Sequence, residues 1–280
     1  MNAHWESQFN PRCAVPDNDV YTAKSKIKSD QAYQRFKDVE QLRYGQGELA
    51  NMNLRRSSKR GEPLFVFIHG GYWRGRDKDD FGYIFTALEP TDANVAILNY
   101  DLCPKVTVSQ ISAQIREALL WFNANADTLG FDREKIFVAG HSAGAHLIAM
   151  ALAQDSSTLS VPDGLVRKAY LISGIYELSP VLKVSVNDEI QLQPEDVPRL
   201  SPICFPPSKK TSYDVIVGQA EPQGWVDQSV SFFAHLQKQG VQSHLTVLPD
   251  RHHYSILQDM EMPEGILSSR FITDINGELK

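Results

Sequence analysis

Three short stretches carry residue types that together suffice for nucleophilic catalysis: GHSAG at 140–144, VGQAEP at 217–222 and PDRHHYSI at 249–256. A serine hydroxyl is a poor nucleophile until a histidine takes its proton, and that histidine must be oriented by a carboxylate. Ser142 is the candidate nucleophile. It lies two residues beyond an apolar run, KIFVAG at 135–140, and is followed at once by a helical pattern from Ala143 to about Gln154. Glycines on both sides permit the tight strand-to-helix turn that lifts a serine hydroxyl clear of a sheet, and the helix start directs free N–H groups at developing negative charge.

Histidines His235, His244, His252 and His253 fall late enough after the serine to serve it. His235 falls inside a helical pattern and His244 starts a strand, whereas His252 and His253 occupy the loop after the last strand. His253 is the preferred base and His252 the alternative. For the acid, Glu221 belongs to the turn that ends the preceding strand, while Asp227 falls at the start of the next helix, where an acid also serves the helix dipole. Glu221 is preferred and Asp227 kept open. A tetrahedral intermediate further needs two backbone N–H donors converging on one oxygen, each supplying roughly 3 kcal/mol. Ala143 offers one, and the HGGYW turn at 69–73 offers the other through Gly70 and Gly71, where only residues without bulk let the backbone approach.

The elements that must position these residues follow from hydrophobic periodicity. Apolar runs at 64–68, 95–100, 135–140, 166–173, 213–218 and 243–249 alternate with amphipathic stretches at about 108–124, 143–154 and 226–239. Short strands separated by helices at this spacing predict an α/β class fold, a mostly parallel sheet covered on both faces. Residues 1–45 read as an N-terminal arm with a helical piece near 22–36. Alternation at Ala50, Met52 and Leu54 suggests an early strand forming a hairpin with 64–68. Residues 174–210 hold six of the fifteen prolines and no strand pattern, and their Leu, Val and Ile content predicts a small packed cap over the site.

The chain of 280 residues is long enough to bury roughly 75% of its unfolded surface in one domain. With 28 basic against 34 acidic residues the net charge is −6, which repels a phosphate backbone and argues against nucleic acid. No apolar run approaches the ~20 residues that span a bilayer, and the N-terminus lacks a signal pattern, so a membrane partner is not expected and a cytoplasmic location is. Three widely spaced cysteines suit a reducing compartment as small buried hydrophobes. No ligand spacing for a metal is present, and no cofactor is expected. The expected partner is a small-molecule substrate, with a homodimer left open.

HGGYW, GHSAG, GQAE and HHYSI, in this order, resemble the α/β-hydrolase superfamily. YGQGE at 44–48, LKVSVNDEIQL at 182–192 and RLSPI at 199–203 narrow the resemblance to the kynurenine formamidase (arylformamidase) family. The resemblance implies an α/β-hydrolase fold with Ser142 as nucleophile, His253 as base, Glu221 at the acid position and an oxyanion hole at Gly70, Gly71 and Ala143. It also implies hydrolysis of an N-formyl arylamide such as N-formylkynurenine, yielding kynurenine and formate in tryptophan degradation. Tyr72, Trp73 and His141 are then candidates for the pocket wall, and Ser185 and Asn187 of the cap for the amino-acid end. The chain departs from the family pattern in holding Glu rather than Asp at 221, a non-acidic residue before His253, and Tyr at 254. A carboxylesterase on small acyl esters and a noncatalytic ligand-binding module are the competing readings.

Overall fold

The computed structural model describes residues 3–154 and 159–277. Eight strands form one sheet: β1 (Glu40–Arg43), β2 (Asn51–Arg55), β3 (Glu62–Ile68), β4 (Asn94–Leu98), β5 (Phe131–His141), β6 (Lys168–Ile172), β7 (Ser212–Gly218) and β8 (Ser243–Leu248). Their spatial order is β1-β2-β4-β3-β5-β6-β7-β8. β2 runs antiparallel to β1 and β4, and every pairing from β4 through β3 to β8 is parallel. This is the α/β-hydrolase fold.

Alternation along each strand builds two cores. On β3, Leu64, Val66 and Ile68 enter one apolar cluster while Phe65 and Phe67 enter the other. β4, β5 and β6 divide in the same way, because successive side chains of a strand leave opposite faces. Parallel strands buried on both faces therefore need helices on both. The first face is covered by α5 (Val108–Leu129), α6 (Ala143–Ala151) and α9 (Gln223–Lys238). The second is covered by α3 (Asn18–Arg35), α4 (Tyr83–Ala87) and α10 (Ile266–Ile275). α5 has clear local stops: Thr107 and Gln110 form a capping box at its start, and Gly130, at φ 85°, ends it.

The early strand exists, but its hairpin with 64–68 does not. β3 is apolar on both faces and takes parallel neighbours at both edges, so β2 pairs instead with β1 and, through Met52 opposite Leu98, with β4. The arm begins with α1 (Ala3–Phe9) and α2 (Pro11–Ala14), ahead of α3. The 174–210 segment consists of 3-10 turns at Ser179–Lys183 and Pro202–Cys204 with α7 (Asn187–Ile190) and α8 (Val197–Leu200), packed through Val184, Val186, Ile190 and Leu192. Cys103 is buried, but Cys13 and Cys204 are exposed, contrary to the expectation of three buried thiols. Both lie on short elements at the surface. No helix among the described residues is long and apolar enough to cross a membrane.

Candidate active site

Ser142, Glu221, His253 and the 69–73 turn follow the carboxyl ends of the parallel strands β5, β7, β8 and β3, where an open α/β sheet offers its crevice. Ser142 follows β5 and caps α6 with φ 56° and ψ −117°, a strained conformation for a residue with a side chain. Its N–H donates to the Ile172 carbonyl at 2.8 Å, fixing the turn to β6. The flanking glycines are steric necessities. A Cβ on Gly140 would lie 2.6 Å from the Gly144 carbonyl carbon, and one on Gly144 only 2.1 Å from the Ile68 oxygen. Gly144→Ala should therefore push α6 off β3 and destabilise by roughly 1–3 kcal/mol. Denaturant unfolding checks this; an unchanged midpoint would contradict the contact. Ala143, the first residue of α6, has an N–H with no acceptor inside its own helix.

The turn after β3 lies against this elbow. A Cβ on Gly70 would stand 2.8 Å from the His141 carbonyl oxygen and 3.1 Å from Ser142 Cβ, and Gly71 has φ 115° with the Gly75 oxygen 2.2 Å from where a Cβ would be. The Tyr100 hydroxyl donates to the His69 carbonyl at 2.9 Å, and its ring stacks on the His69 imidazole with centroids 4.4 Å apart. Tyr72 lines the cavity and donates its hydroxyl proton to the Phe9 carbonyl at 2.7 Å. Trp73 does not line it. Its indole is fully buried and donates to His146 Nδ1 at 3.2 Å, so its role is packing beneath the loop.

His253 Nδ1 lies 2.8 Å from Glu221 Oε2, and both side chains are buried. The other carboxylate oxygen, Oε1, accepts from Ser173 Oγ at 2.5 Å and from the Gly218 N–H at 2.9 Å. Three donors thus hold one carboxylate. The Trp225 ring packs on His253 at 4.6 Å between centroids. Close approach of the two loops is set at Gly218, where a Cβ would meet the Arg251 oxygen at 2.0 Å. The alternatives sit elsewhere. His252 Nδ1 accepts from the Tyr254 and Ser255 N–H groups, both at 3.2 Å, with Tyr21 against its ring. Asp227 is exposed on α9 and accepts from Gln223 at 2.8 Å.

Ser142, His253 and His141 open onto one cavity of about 180 Å³. The His141 Nε2–H donates to the His253 carbonyl at 2.9 Å, and burial, with the neighbouring His253 adding to it, holds its pKa well below the usual histidine value. The facing wall belongs to the arm, through Asn10, Pro11, Arg12, Asn18, Asp19 and Thr22. Nothing in the sequence singled these out. Ser185 and Asn187 do not reach the cavity; Val186 between them does. The Ser185 N–H and hydroxyl are taken by the Glu6 carboxylate, and the Asn187 amide exchanges hydrogen bonds with the Leu192 backbone at 2.9 and 3.1 Å. Among the described residues no group of three His, Cys, Asp or Glu side chains is placed to hold a metal ion.

His146 ties α6 to the cap, donating from Nε2 to the Leu200 carbonyl at 2.7 Å while Nδ1 accepts from Trp73. Complete burial pushes its pKa down from 6.5 to about 4. The native state holds it neutral, so the unfolded chain binds the extra proton. Its stabilisation is complete above pH 6.5 and is lost as the pH falls toward 4, with a slope of up to ~1.4 kcal/mol per pH unit. His146→Gln should shrink the wild-type slope by about one proton in unfolding titrations across that window; His141, shifted the same way, keeps the remainder.

A BD-FAE family model matches residues 51–170 and a prolyl oligopeptidase family model matches residues 112–267, more than half of the chain. The chain is 28% identical to the kynurenine formamidase of Danio rerio, covering 97% of this chain and 94% of that protein. It is 26% identical to that of Drosophila melanogaster, covering 98% and 93%. An esterase from Pyrobaculum calidifontis superposes with a TM-score of 0.76 at 20% identity, over 94% of this chain and 93% of that one. The protein is a hydrolase of the α/β-hydrolase superfamily: it belongs to the prolyl oligopeptidase family and, over nearly its whole length, is similar to kynurenine formamidases.

Proposed function

We propose that the protein hydrolyses an N-formyl arylamide, with N-formylkynurenine the leading substrate, through Ser142, His253 and Glu221. One observation supports the reading most strongly: His253, paired with the buried Glu221, opens onto the cavity that holds Ser142, in a chain similar to kynurenine formamidases over nearly its whole length. Ser142 Oγ attacks the formyl carbon and gives its proton to His253 Nε2. The carbonyl electrons move onto oxygen, where the Ala143 N–H and the glycine-turn amides stabilise the charge by roughly 3 kcal/mol per donor. Collapse breaks the C–N bond as His253 returns the proton to the departing arylamine. Water, deprotonated by the same histidine, then attacks the formyl ester, releasing formate and restoring Ser142. The formyl carbon carries only hydrogen, so attack is unhindered, and ring delocalisation makes the arylamine a better leaving group than an alkylamine.

A carboxylesterase is the second reading, because the same machinery cleaves acyl esters. Steady-state comparison of N-formylkynurenine, formanilide and a short nitrophenyl ester, on wild type and Ser142→Ala, decides between them. A formamidase prefers the first by orders of magnitude in kcat/KM; ester preference of that size would replace the proposal with the second reading. The cytoplasm is the proposed compartment, in keeping with three free cysteines.

A further inference from the structure

Four charged residues besides histidine line the cavity: Arg12, Asp19, Arg74 and Arg76. Two are already neutralised. Arg74 is paired with Glu189, and Arg76 Nε lies 3.1 Å from Asp80 with its guanidinium over Phe81. Arg12 and Asp19 have no oppositely charged partner within ion-pairing distance among the described residues. Both share the cavity lining with Tyr254, which follows His253 in sequence, and their charges act on its hydroxyl in opposite senses, Arg12 favouring its ionisation and Asp19 opposing it.

These two charges are held in place by their backbone. Asn10 caps α2 by accepting from the Arg12 N–H at 3.2 Å, and its amide donates to Glu6 at 2.8 Å. The preceding Phe9 is buried against Trp5 and Trp225, and its carbonyl accepts the Tyr72 hydroxyl. The buried Asn18 amide donates to Val15 at 2.8 Å, fixing the start of α3 where Asp19 stands. A cation and an anion on tied turns thus face the cavity of Ser142 with their charge unspent.

We propose that Arg12 and Asp19 form a subsite for a zwitterionic amino-acid group, the guanidinium taking the carboxylate and Asp19 the ammonium, so that the arm selects hydrolysable substrates with an amino-acid tail. The inference deepens the formamidase reading and rests on its cavity, moving to the arm a task that the sequence suggested for the cap.

The test compares kcat/KM for N-formylkynurenine, its decarboxylated analogue N-formylkynuramine, its deaminated analogue and formanilide. Arg12→Met should cut turnover of the two carboxylates by roughly 10- to 100-fold, the loss of one or two charge-assisted bonds, and leave formylkynuramine and formanilide unchanged. Arg12→Glu should shift preference toward the cationic formylkynuramine, and Asp19→Asn should penalise only compounds with an ammonium. Formanilide turnover also reports an intact site in each variant. Equal losses on all four compounds, or wild-type indifference to the carboxylate, would overturn the subsite. Should wild type cleave no formamide, the formamidase reading fails by itself, and 3-acetoxybenzoate against phenyl acetate puts the Arg12 question to ester hydrolysis. Turnover of neither class rejects both.

Discussion

Ser142→Ala is expected to lower kcat by roughly 10⁴- to 10⁶-fold, His253→Ala by a similar factor, and the double variant by little more than either alone, because nucleophile and base act as one unit. The geometry gives the reason. Ser142 projects from a strained turn pinned by Gly140 and Gly144, and His253 is held at 2.8 Å from Glu221 on the same cavity. Removing either leaves the amide donors and the cavity intact, so binding should survive while attack is lost. Both variants should keep the wild-type unfolding midpoint to within about 1 kcal/mol, since neither truncation opens a large apolar void. His252→Ala serves as the control. Its ring accepts two backbone N–H groups and packs on Tyr21, away from the carboxylate, so turnover should persist. An inactive His252→Ala beside an active His253→Ala would reject the assignment of the base.

Glu221→Gln should cost up to ~10⁴-fold in kcat with a much smaller effect on folding. An amide at this position can still accept from Gly218 and Ser173 through its oxygen, which keeps the turn. It then presents an NH₂ donor to His253 Nδ1, and two donors cannot bond. The imidazole is driven to the tautomer with its proton on Nε2, which cannot receive one from serine, and the imidazolium formed during attack loses its counter-charge. Glu221→Asp should recover part of the activity. Its shorter side chain cannot both reach His253 and hold Ser173 and the Gly218 N–H as glutamate does. Asp227→Asn should change little, since Asp227 is bonded to Gln223 on the exposed side of α9. Loss of turnover in Asp227→Asn with Glu221→Gln active would transfer the acid role to Asp227.

The residues proposed for the reaction were legible because their signals are local. A strand that ends in G-x-S-x-G and runs into a helix requires small residues at 140 and 144, and the clashes a Cβ would make there are backbone contacts within a few residues or with the adjacent strand. Strand alternation, as at Leu64–Ile68, likewise fixes which side chains face which layer before any layer exists. Local signals placed Glu221 ahead of Asp227 as the residue at a strand end, whereas His252 and His253 share the loop after β8 and differ only in the partners that the fold brings to each.

Partners across the fold were not legible. The hairpin expected between 50–54 and 64–68 gave way because pairing depends on which edges the parallel strands leave free, a property of the whole sheet. Trp73 carried the aromatic character of a pocket wall, yet His146, 73 residues away, offered its indole N–H a buried acceptor and drew it inward. Ser185 turned to Glu6 across 179 residues and does not line the cavity. By itself the sequence determined which residues stand at the strand ends and how the sheet is layered, since both depend on periodicity and on short-range steric limits. Only the tertiary structure decided that the arm, through Arg12 and Asp19, faces Ser142 and that the cap's polar residues do not, because those outcomes depend on which distant hydrogen-bond partners packing brings within reach.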